Sequence, residues 1–177
     1  MMFQDVVIVI PAYEPDDRLL ELLKNIRDKE ENQMFDIILV DDGSGADFAP
    51  LFAIAQSNYA CHLQRHADNK GKGRALKTAI SYTLDNFPNA KGIVTIDSDG
   101  QHTYEDMMKC LAEFLQHPDS LVHGCAEHLK EICSFSGRGG NLLTRDVLRG
   151  CEQVCTFLTV LQAGLTRDSL CHGCQNS

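Results

Sequence analysis

Three short apolar runs, rich in β-branched residues, constrain the fold of this chain more than any other feature of its sequence. They cover residues 6–11, 35–40 and 92–96, and the last two are followed directly by aspartates. A run without polar alternation indicates a strand that is covered on both faces. Strands of this kind alternating with helices form right-handed βαβ units. The sequence therefore predicts an α/β fold with a Rossmann-like, mostly parallel sheet flanked by helices.

The segments between these runs have the periodicity of surface helices. Apolar residues recur every three or four positions in three segments, 17–26, 48–57 and 72–84. Thr103 and Asp106 form a capping box that predicts the start of a fourth helix, which Pro118 ends. Residues 61–63 are expected to form a short strand at most.

Composition limits what the chain can bind and where it works. Its 177 residues are 44% hydrophobic, which is enough apolar material for one globular core. The net charge of −9 argues against nucleic acid as a partner, because an acidic surface repels a polyanion. No apolar run reaches the roughly 18–20 residues that span a bilayer, and the N-terminus lacks the features of a secretory signal. We therefore expect a cytoplasmic protein without a transmembrane segment.

Two pairs of aspartates follow predicted strands. Asp41 and Asp42 come after the second run, and Asp97 and Asp99 come after the third. Ligands of open α/β sheets bind at the carboxyl ends of the strands, so these carboxylates are expected to meet at one edge. Because like charges repel, a divalent cation such as Mg²⁺ or Mn²⁺ with an anionic ligand would stabilise them. Alternatively, aspartates before Gly43 simply form a turn.

A basic, glycine-rich segment at residues 70–74 begins one predicted helix. It is not a Walker A motif, since Arg74 stands where that motif has Ser or Thr. The segment is either a neighbour of phosphate oxygens or a solvated helix start. Among the histidines, only His102, beside Gln101, is predicted to lie near the strand-end aspartates and their ligand.

The last third of the chain differs in composition from the rest. Six of the eight cysteines lie at or after residue 125. Four of them have a spacing that approaches a zinc site: Cys151, Cys155, Cys171 and Cys174. Buried or incidental thiols are the other interpretation, because the segment lacks the glycine-punctuated hairpins that usually hold such zinc sites.

Four collinear motifs resemble those of the family 2 glycosyltransferases, which have the GT-A fold. The matching segments are 7–14, 38–44, 69–77 and 94–102. The Asp-Gly-Gln-His extension at 99–102 and the segment 139–145 look most like the branch of polyprenyl-phosphate or dolichyl-phosphate hexose synthases. This resemblance implies transfer of a mannose or glucose from GDP or UDP to an acceptor, for which a polyprenyl phosphate is the candidate. A lipid acceptor would bring the protein to the inner face of the membrane.

The resemblance also implies roles for individual residues. Four residues after the first strand would line the nucleoside pocket: Pro11, Ala12, Tyr13 and Glu14. Asp41 or Asp42 would bind the base or ribose, and Lys72 would lie near the base and phosphates. Asp97 would face the nucleotide sugar. Asp99, with Gln101, would hold Mg²⁺ or Mn²⁺ on the diphosphate.

The resemblance is confined to one part of the chain. Residues 1–125 are expected to form the nucleotide-sugar-binding GT-A core, and residues 126–177 a divergent acceptor-side region or an irregular tail. Val160 stands where the branch has its acceptor-side aspartate, so the catalytic base is unknown, and Asp146 and Asp168 are the first candidates. The basic residue expected after a fifth strand is also missing, because Cys125, Ala and Glu occupy that place.

Two other functions remain open from the sequence. The first is a catalytically impaired remnant that still binds a nucleotide sugar, because the acceptor side departs from the pattern and the sequence stops at Ser177. The second is a nucleotidyltransferase, which shares the α/β fold and the aspartates. It is disfavoured because such enzymes have a basic, glycine-rich loop after the first strand, where this chain has residues 11–14.

Overall fold

The computed structural model describes residues 5–30, 35–116, 122–125 and 157–162. Within these ranges the chain forms six strands, β1 (Val6–Ala12), β2 (Asp36–Asp41), β3 (Cys61–Arg65), β4 (Gly92–Thr95), β5 (Val122–Cys125) and β6 (Phe157–Gln162). Its helices there are α1 (Asp17–Lys29), α2 (Ala49–Tyr59), α3 (Lys72–Asn86) and α4 (Tyr104–Gln116). None of the helices in the described part of the chain is long and apolar enough to cross a bilayer.

The six strands form one sheet in the order β3-β2-β1-β4-β6-β5. The first four are parallel to one another, and β6 runs antiparallel to both of its neighbours. The predicted α/β fold with a mostly parallel sheet flanked by helices is therefore confirmed.

The position of β1 between two cores explains why its sequence is apolar throughout. Val6, Ile8 and Ile10 face a core built with α1, α2 and α4. Val7 and Val9 face a second core built with α3 on the other side of the sheet. Both faces of the strand are dry, so neither set of alternating positions can be polar. Full burial of each such side chain contributes about 1.5–3 kcal/mol relative to exposure.

Local signals located the helix starts well. The capping box is present, since the Thr103 hydroxyl donates to Asp106 Oδ2 at 2.8 Å and the Asp106 N–H donates back to Thr103 Oγ1 at 3.2 Å. The third strand is longer than expected and extends to Arg65 at the edge of the sheet. A 3₁₀ turn, Ala46–Phe48, precedes α2.

The strand β6 was not predicted from the sequence. It lies between β4 and β5, and Val160 pairs with Val94 on one side and with Val122 on the other. The expected position of the catalytic base is thus inside the sheet. Four other predicted features lie outside the described residues: the four zinc-spaced cysteines, the segment 139–145, Asp146 and Asp168.

Candidate functional site

An open cleft of about 270 Å³ lies where β1, β2 and β4 end. Seven of the predicted site residues line it: Pro11, Ala12, Tyr13, Asp42, Lys72, Asp97 and Asp99. The expected meeting of strand-end carboxylates therefore occurs, with three aspartates around one cavity. The other three predicted residues, Glu14, Asp41 and Gln101, are not among those that line it.

The side of the cleft formed after β2, which we call the β2 side, centres on Asp42. Its side chain is only 4% exposed. Oδ1 accepts a hydrogen bond from the Lys70 N–H at 3.1 Å and lies 2.5 Å from Nδ1 of His66. Oδ2 has no hydrogen-bond partner among the described residues, and Asp42 is one of the residues that line the cleft. One oxygen of this carboxylate is thus anchored by the protein and the other is left for a ligand.

The neighbouring residue, Asp41, stabilises the loop after β2 and does not line the cleft. Asp41 Oδ1 accepts a hydrogen bond from the Ser44 N–H at 2.9 Å, and its Oδ2 lies 3.7 Å from Nε of Arg65. The hydroxyl oxygen of Ser44 in turn accepts from the Glu14 N–H at 2.9 Å. These bonds tie the loop after β2 to the end of β1. They hold Glu14 at a φ of 47°, which is uncommon for a residue with a side chain.

Glycine is required in the loop after β2. Gly43 has a φ of +78°, and a Cβ there would lie 2.3 Å from the backbone carbonyl carbon of Asp68. The loop therefore packs directly on the backbone that leads into the segment 69–72. This close approach brings the Lys70 N–H within reach of Asp42.

The opposite side of the cleft, which we call the β4 side, contains an ion pair and is more open to solvent. Nζ of Lys72 lies 2.6 Å from Oδ1 and 2.9 Å from Oδ2 of Asp97. The two side chains are 34% and 15% exposed, respectively. Lys72 is the first residue of α3 and follows Gly71, whose φ is 84°. The positive end of the helix dipole therefore also favours negative charge here.

Asp99 completes the β4 side. Its Oδ1 accepts a hydrogen bond from the Gln101 N–H at 3.0 Å, so Gln101 acts on the loop through its backbone. The guanidinium group of Arg18, on α1, is close enough to Asp99 for an electrostatic interaction. The pKa of Arg18 is raised mainly by its side-chain hydrogen bond to Asp16, and to a smaller extent by the charge of Asp99.

The carboxylates on the β4 side fit a hard cation whose remaining ligands come from a bound phosphate and from water. Within the described ranges, no three His, Cys, Asp or Glu side chains come together to hold a metal ion. Mg²⁺, which Mn²⁺ resembles as a hard cation, is commonly bound by one or two carboxylates together with substrate phosphates and waters. Asp97 and Asp99 provide such a partial set at the cleft.

His102, the histidine that the sequence predicts near the site, does not line the cleft. His102 is 3% exposed and lines a smaller cavity of about 160 Å³ between α1 and the start of α4. The histidine that contacts a cleft carboxylate is His66. The strand register contains the missing signal, because Asp41 pairs with Arg65 across β2 and β3. The residues that directly follow these two strand ends are Asp42 and His66, which lie side by side.

Sequence comparisons identify relatives of this chain. The profile of Glycosyl transferase family 2 matches residues 7–144. An uncharacterised protein of Methanocaldococcus jannaschii is 36% identical over 111 residues, which are 63% of this chain and 42% of that protein. The UDP-N-acetylglucosamine–dolichyl-phosphate N-acetylglucosaminyltransferase of Methanococcus voltae is 27% identical, over 67% of this chain and 51% of that protein. The undecaprenyl-phosphate 4-deoxy-4-formamido-L-arabinose transferase of Enterobacter sp. is 26% identical, over 79% and 42%.

This chain spans about half the length, or less, of these curated relatives. Among solved structures, the mannosyltransferase of Pyrobaculum calidifontis, in complex with GDP-Man and Mn²⁺, superposes with a TM-score of 0.52 and 22% identity, over 66% of this chain and 34% of that one. The S. aureus protein TarS (residues 1–349), in complex with UDP-GlcNAc, gives a TM-score of 0.50 and 16% identity, over 66% and 32%. At these identities the likeness shows the fold, which is of the GT-A type.

Proposed function

Because the chain belongs to glycosyl transferase family 2, whose profile matches residues 7–144, we propose that it binds a GDP- or UDP-linked hexose and transfers the hexose to a polyprenyl phosphate. The observation that supports this is the cleft, which the buried carboxylate of Asp42 and the partly buried carboxylates of Asp97 and Asp99 line together. Two relatives named above have undecaprenyl phosphate or dolichyl phosphate in their names.

On the β2 side, the chain would bind the nucleoside. Oδ2 of Asp42 would accept hydrogen bonds from the base or the ribose, and a bond to a charged acceptor contributes about 1.5–3 kcal/mol. Pro11, Ala12 and Tyr13 would form the wall of this pocket, and Tyr13 is 48% exposed, so its ring can cover a base. Asp41 and Glu14 would act indirectly, by fixing the loop.

On the β4 side, the chain would bind the diphosphate and sugar. Asp99, whose loop is fixed by the Gln101 N–H, would hold Mg²⁺ or Mn²⁺. When bound, the cation would neutralise the charge that develops on the leaving nucleoside diphosphate. Asp97 would face the sugar, and Lys72 would place its ammonium group beside the phosphates.

A thermal-shift panel tests donor binding directly. UDP, GDP and their hexose conjugates are added to the full chain with and without Mn²⁺. A ligand at 100 times its dissociation constant adds about 2.7 kcal/mol of stability, which a melting curve resolves. Asp42→Asn should reduce the shift, whereas the control Asp28→Asn, in an exposed pair with Lys24 on α1, should keep it. If no nucleotide shifts the melting temperature, the proposed function is wrong.

A second candidate is a chain that binds the donor without transferring the sugar. It is favoured by Val160, which lies in β6 between β4 and β5 where the resemblance expects an aspartate. Loss of a general base lowers the rate by roughly 10²–10⁴-fold. Radiolabelled transfer from GDP-mannose and UDP-glucose to a polyprenyl phosphate in detergent separates the two candidates. Binding without turnover supports the second, whereas turnover of about 1–10³ per second supports the first and makes Asp146 and Asp168 the next residues to mutate.

A further inference from the structure

Three side chains form a continuous hydrogen-bonded chain from the cleft to helix α3. Asp42 Oδ1 lies 2.5 Å from Nδ1 of His66, and Nε2 of His66 lies 2.8 Å from Oγ1 of Thr78. The side chains of Asp42 and His66 are 4% and 8% exposed. Neither His66 nor Thr78 is among the residues that line the cleft. A ligand in the cleft would therefore meet only the first member of the chain.

The donors and acceptors of this chain have one consistent arrangement around Asp42. Its carboxylate can only accept, and it already accepts from the Lys70 N–H at 3.1 Å. His66 must then donate to it from Nδ1. At Nε2 the ring either accepts from the Thr78 hydroxyl or, when protonated, donates to it, and a hydroxyl can serve in both ways. The acceptor-only carboxylate of Asp42 thus keeps the proton of the neutral ring on Nδ1, and Thr78 fixes the orientation of the ring through Nε2.

We propose that His66, held by Thr78, is a positioning residue for Asp42, and that it sets the affinity of the chain for the nucleoside of the donor. This inference rests on the proposed function. With His66 in place, Oδ1 is anchored by two donors and Oδ2 faces the ligand. Without it, the Lys70 N–H would be the one donor to Oδ1 that remains among the described residues. The carboxylate can then turn about its last side-chain bond, and the geometry offered to the nucleoside is lost.

The position of His66 also separates this role from a catalytic one. The cation site and the sugar are assigned to Asp97 and Asp99, which lie on the other side of the cleft. Among the described residues, the side-chain partners of His66 are Asp42 and Thr78, and neither Asp97 nor Asp99 is bonded to it. His66 should therefore influence the binding of the nucleoside but leave the increment that Mn²⁺ adds to binding unchanged.

The sharpest test changes Thr78, because its side chain can lose the hydroxyl and keep its shape. Thr78→Val removes the partner of Nε2, whereas Thr78→Ser keeps it. Titration calorimetry with UDP and GDP, without metal, should show about tenfold weaker binding for Thr78→Val, as for one lost hydrogen bond in a charged network. Binding by Thr78→Ser should stay within about twofold of the parent chain, and the Mn²⁺ increment should be the same in all three.

A double-mutant cycle and a spectroscopic measurement complete the test. In a His66→Asn background, Thr78→Val should cause no further loss of affinity, because the chain is already broken. The ¹⁵N spectrum of the His66 ring should show Nδ1 protonated in the parent chain, and the ¹⁵N shift of Nε2 should move in Thr78→Val, because this nitrogen loses its hydrogen bond.

The outcomes separate this inference from the function on which it rests. If the parent chain binds neither nucleotide, the proposed function fails. If the parent binds but folded Thr78→Val binds equally well, or if the two losses simply add, the role of His66 is refuted. Urea unfolding of each variant establishes that it is folded, and the ¹⁵N spectrum gives a result even where His66→Asn fails to fold.

Discussion

The two sides of the cleft are built on different physical principles. On the β2 side the carboxylate of Asp42 is 4% exposed and anchored by two donors before any ligand arrives. On the β4 side Asp97 pairs with a lysine that is 34% exposed, and Asp99 is fixed only by its own loop. The difference indicates that the β2 side is preorganised, whereas the β4 side would be completed by the proposed cation and diphosphate. Substitutions should therefore affect folding and metal-free binding on the first side, and metal-dependent binding on the second.

The largest expected effect comes from Gly43→Ala on the β2 side. The added methyl group would lie 2.3 Å from the Asp68 carbonyl carbon, at a φ of +78°. We expect a loss of more than about 4 kcal/mol in the free energy of unfolding, because two backbone segments must separate. Gly45→Ala is the matched control, since its φ is +88° but a Cβ there meets nothing within 4 Å. It should cost about 1–3 kcal/mol, from backbone strain alone, because its φ of 88° and ψ of 176° are a conformation that residues with a Cβ rarely adopt. Urea unfolding measures both, and equal losses would show that the close approach is unimportant.

The next effect in size separates the two adjacent aspartates. Asp42→Asn should weaken binding of UDP or GDP by about 10–100-fold with or without Mn²⁺, because a charged acceptor at the ligand is lost. Asp41→Asn should leave the affinity within about twofold and lower the free energy of unfolding by about 1 kcal/mol, through its bond to the Ser44 N–H. Titration calorimetry and urea unfolding give the two quantities. If Asp41→Asn weakens binding as strongly, the division between cleft and loop is wrong.

On the β4 side, Asp99→Asn should remove only the metal-dependent part of binding. We expect Mn²⁺ to strengthen nucleotide binding by about tenfold or more in the parent chain, since Asp99 would hold a cation that neutralises the phosphates, and to have no effect in the variant. The metal-free affinity and the unfolding free energy should not change, because the loop lies at the surface. Calorimetry in EDTA and in Mn²⁺ makes the comparison. A loss of metal-free binding would place Asp99 in contact with the nucleotide itself.

The parts of this fold that sequence could predict are those that local patterns determine. The uniform apolar run of β1 reflects two cores, one on each face, and the Thr103–Asp106 box is made within one turn of helix. The strand β6 escaped prediction because it is defined by pairing with β4, more than sixty residues earlier in the chain. Pairing over such separations leaves no mark in a short window of sequence.

The site was predictable to the level of strand ends and no further. The sequence predicts Asp41 and Asp42 at the same edge, but neighbouring side chains along a strand point in opposite directions. The structure shows that Asp41 bonds to the Ser44 N–H, whereas Asp42 lines the cleft. His66 was missed because its contact with Asp42 depends on the parallel register of β2 and β3. With that register, the contact between His66 and Asp42 could have been inferred.

The smallest expected effect comes from Lys72→Met, which removes the positive charge of the β4 side. Removing the ammonium group frees both oxygens of Asp97, so Mn²⁺ alone should bind a few-fold more tightly, because one unpaired carboxylate is added to the site. Metal-free nucleotide binding should weaken a few-fold, since a cation near the phosphates is lost. A partly exposed pair contributes about 0–1 kcal/mol to folding, so the unfolding free energy should barely change.

The control for this substitution is Lys24→Met, which breaks an exposed pair with Asp28 on α1. It should change neither Mn²⁺ binding nor nucleotide binding. Electron paramagnetic resonance of free Mn²⁺ without nucleotide gives the metal affinity, and urea unfolding gives the stability. If Lys72→Met destabilised the chain by several kcal/mol while Lys24→Met did not, the ion pair would be part of the folded framework. The β4 side would then be as preorganised as the β2 side, and the contrast between them would fail.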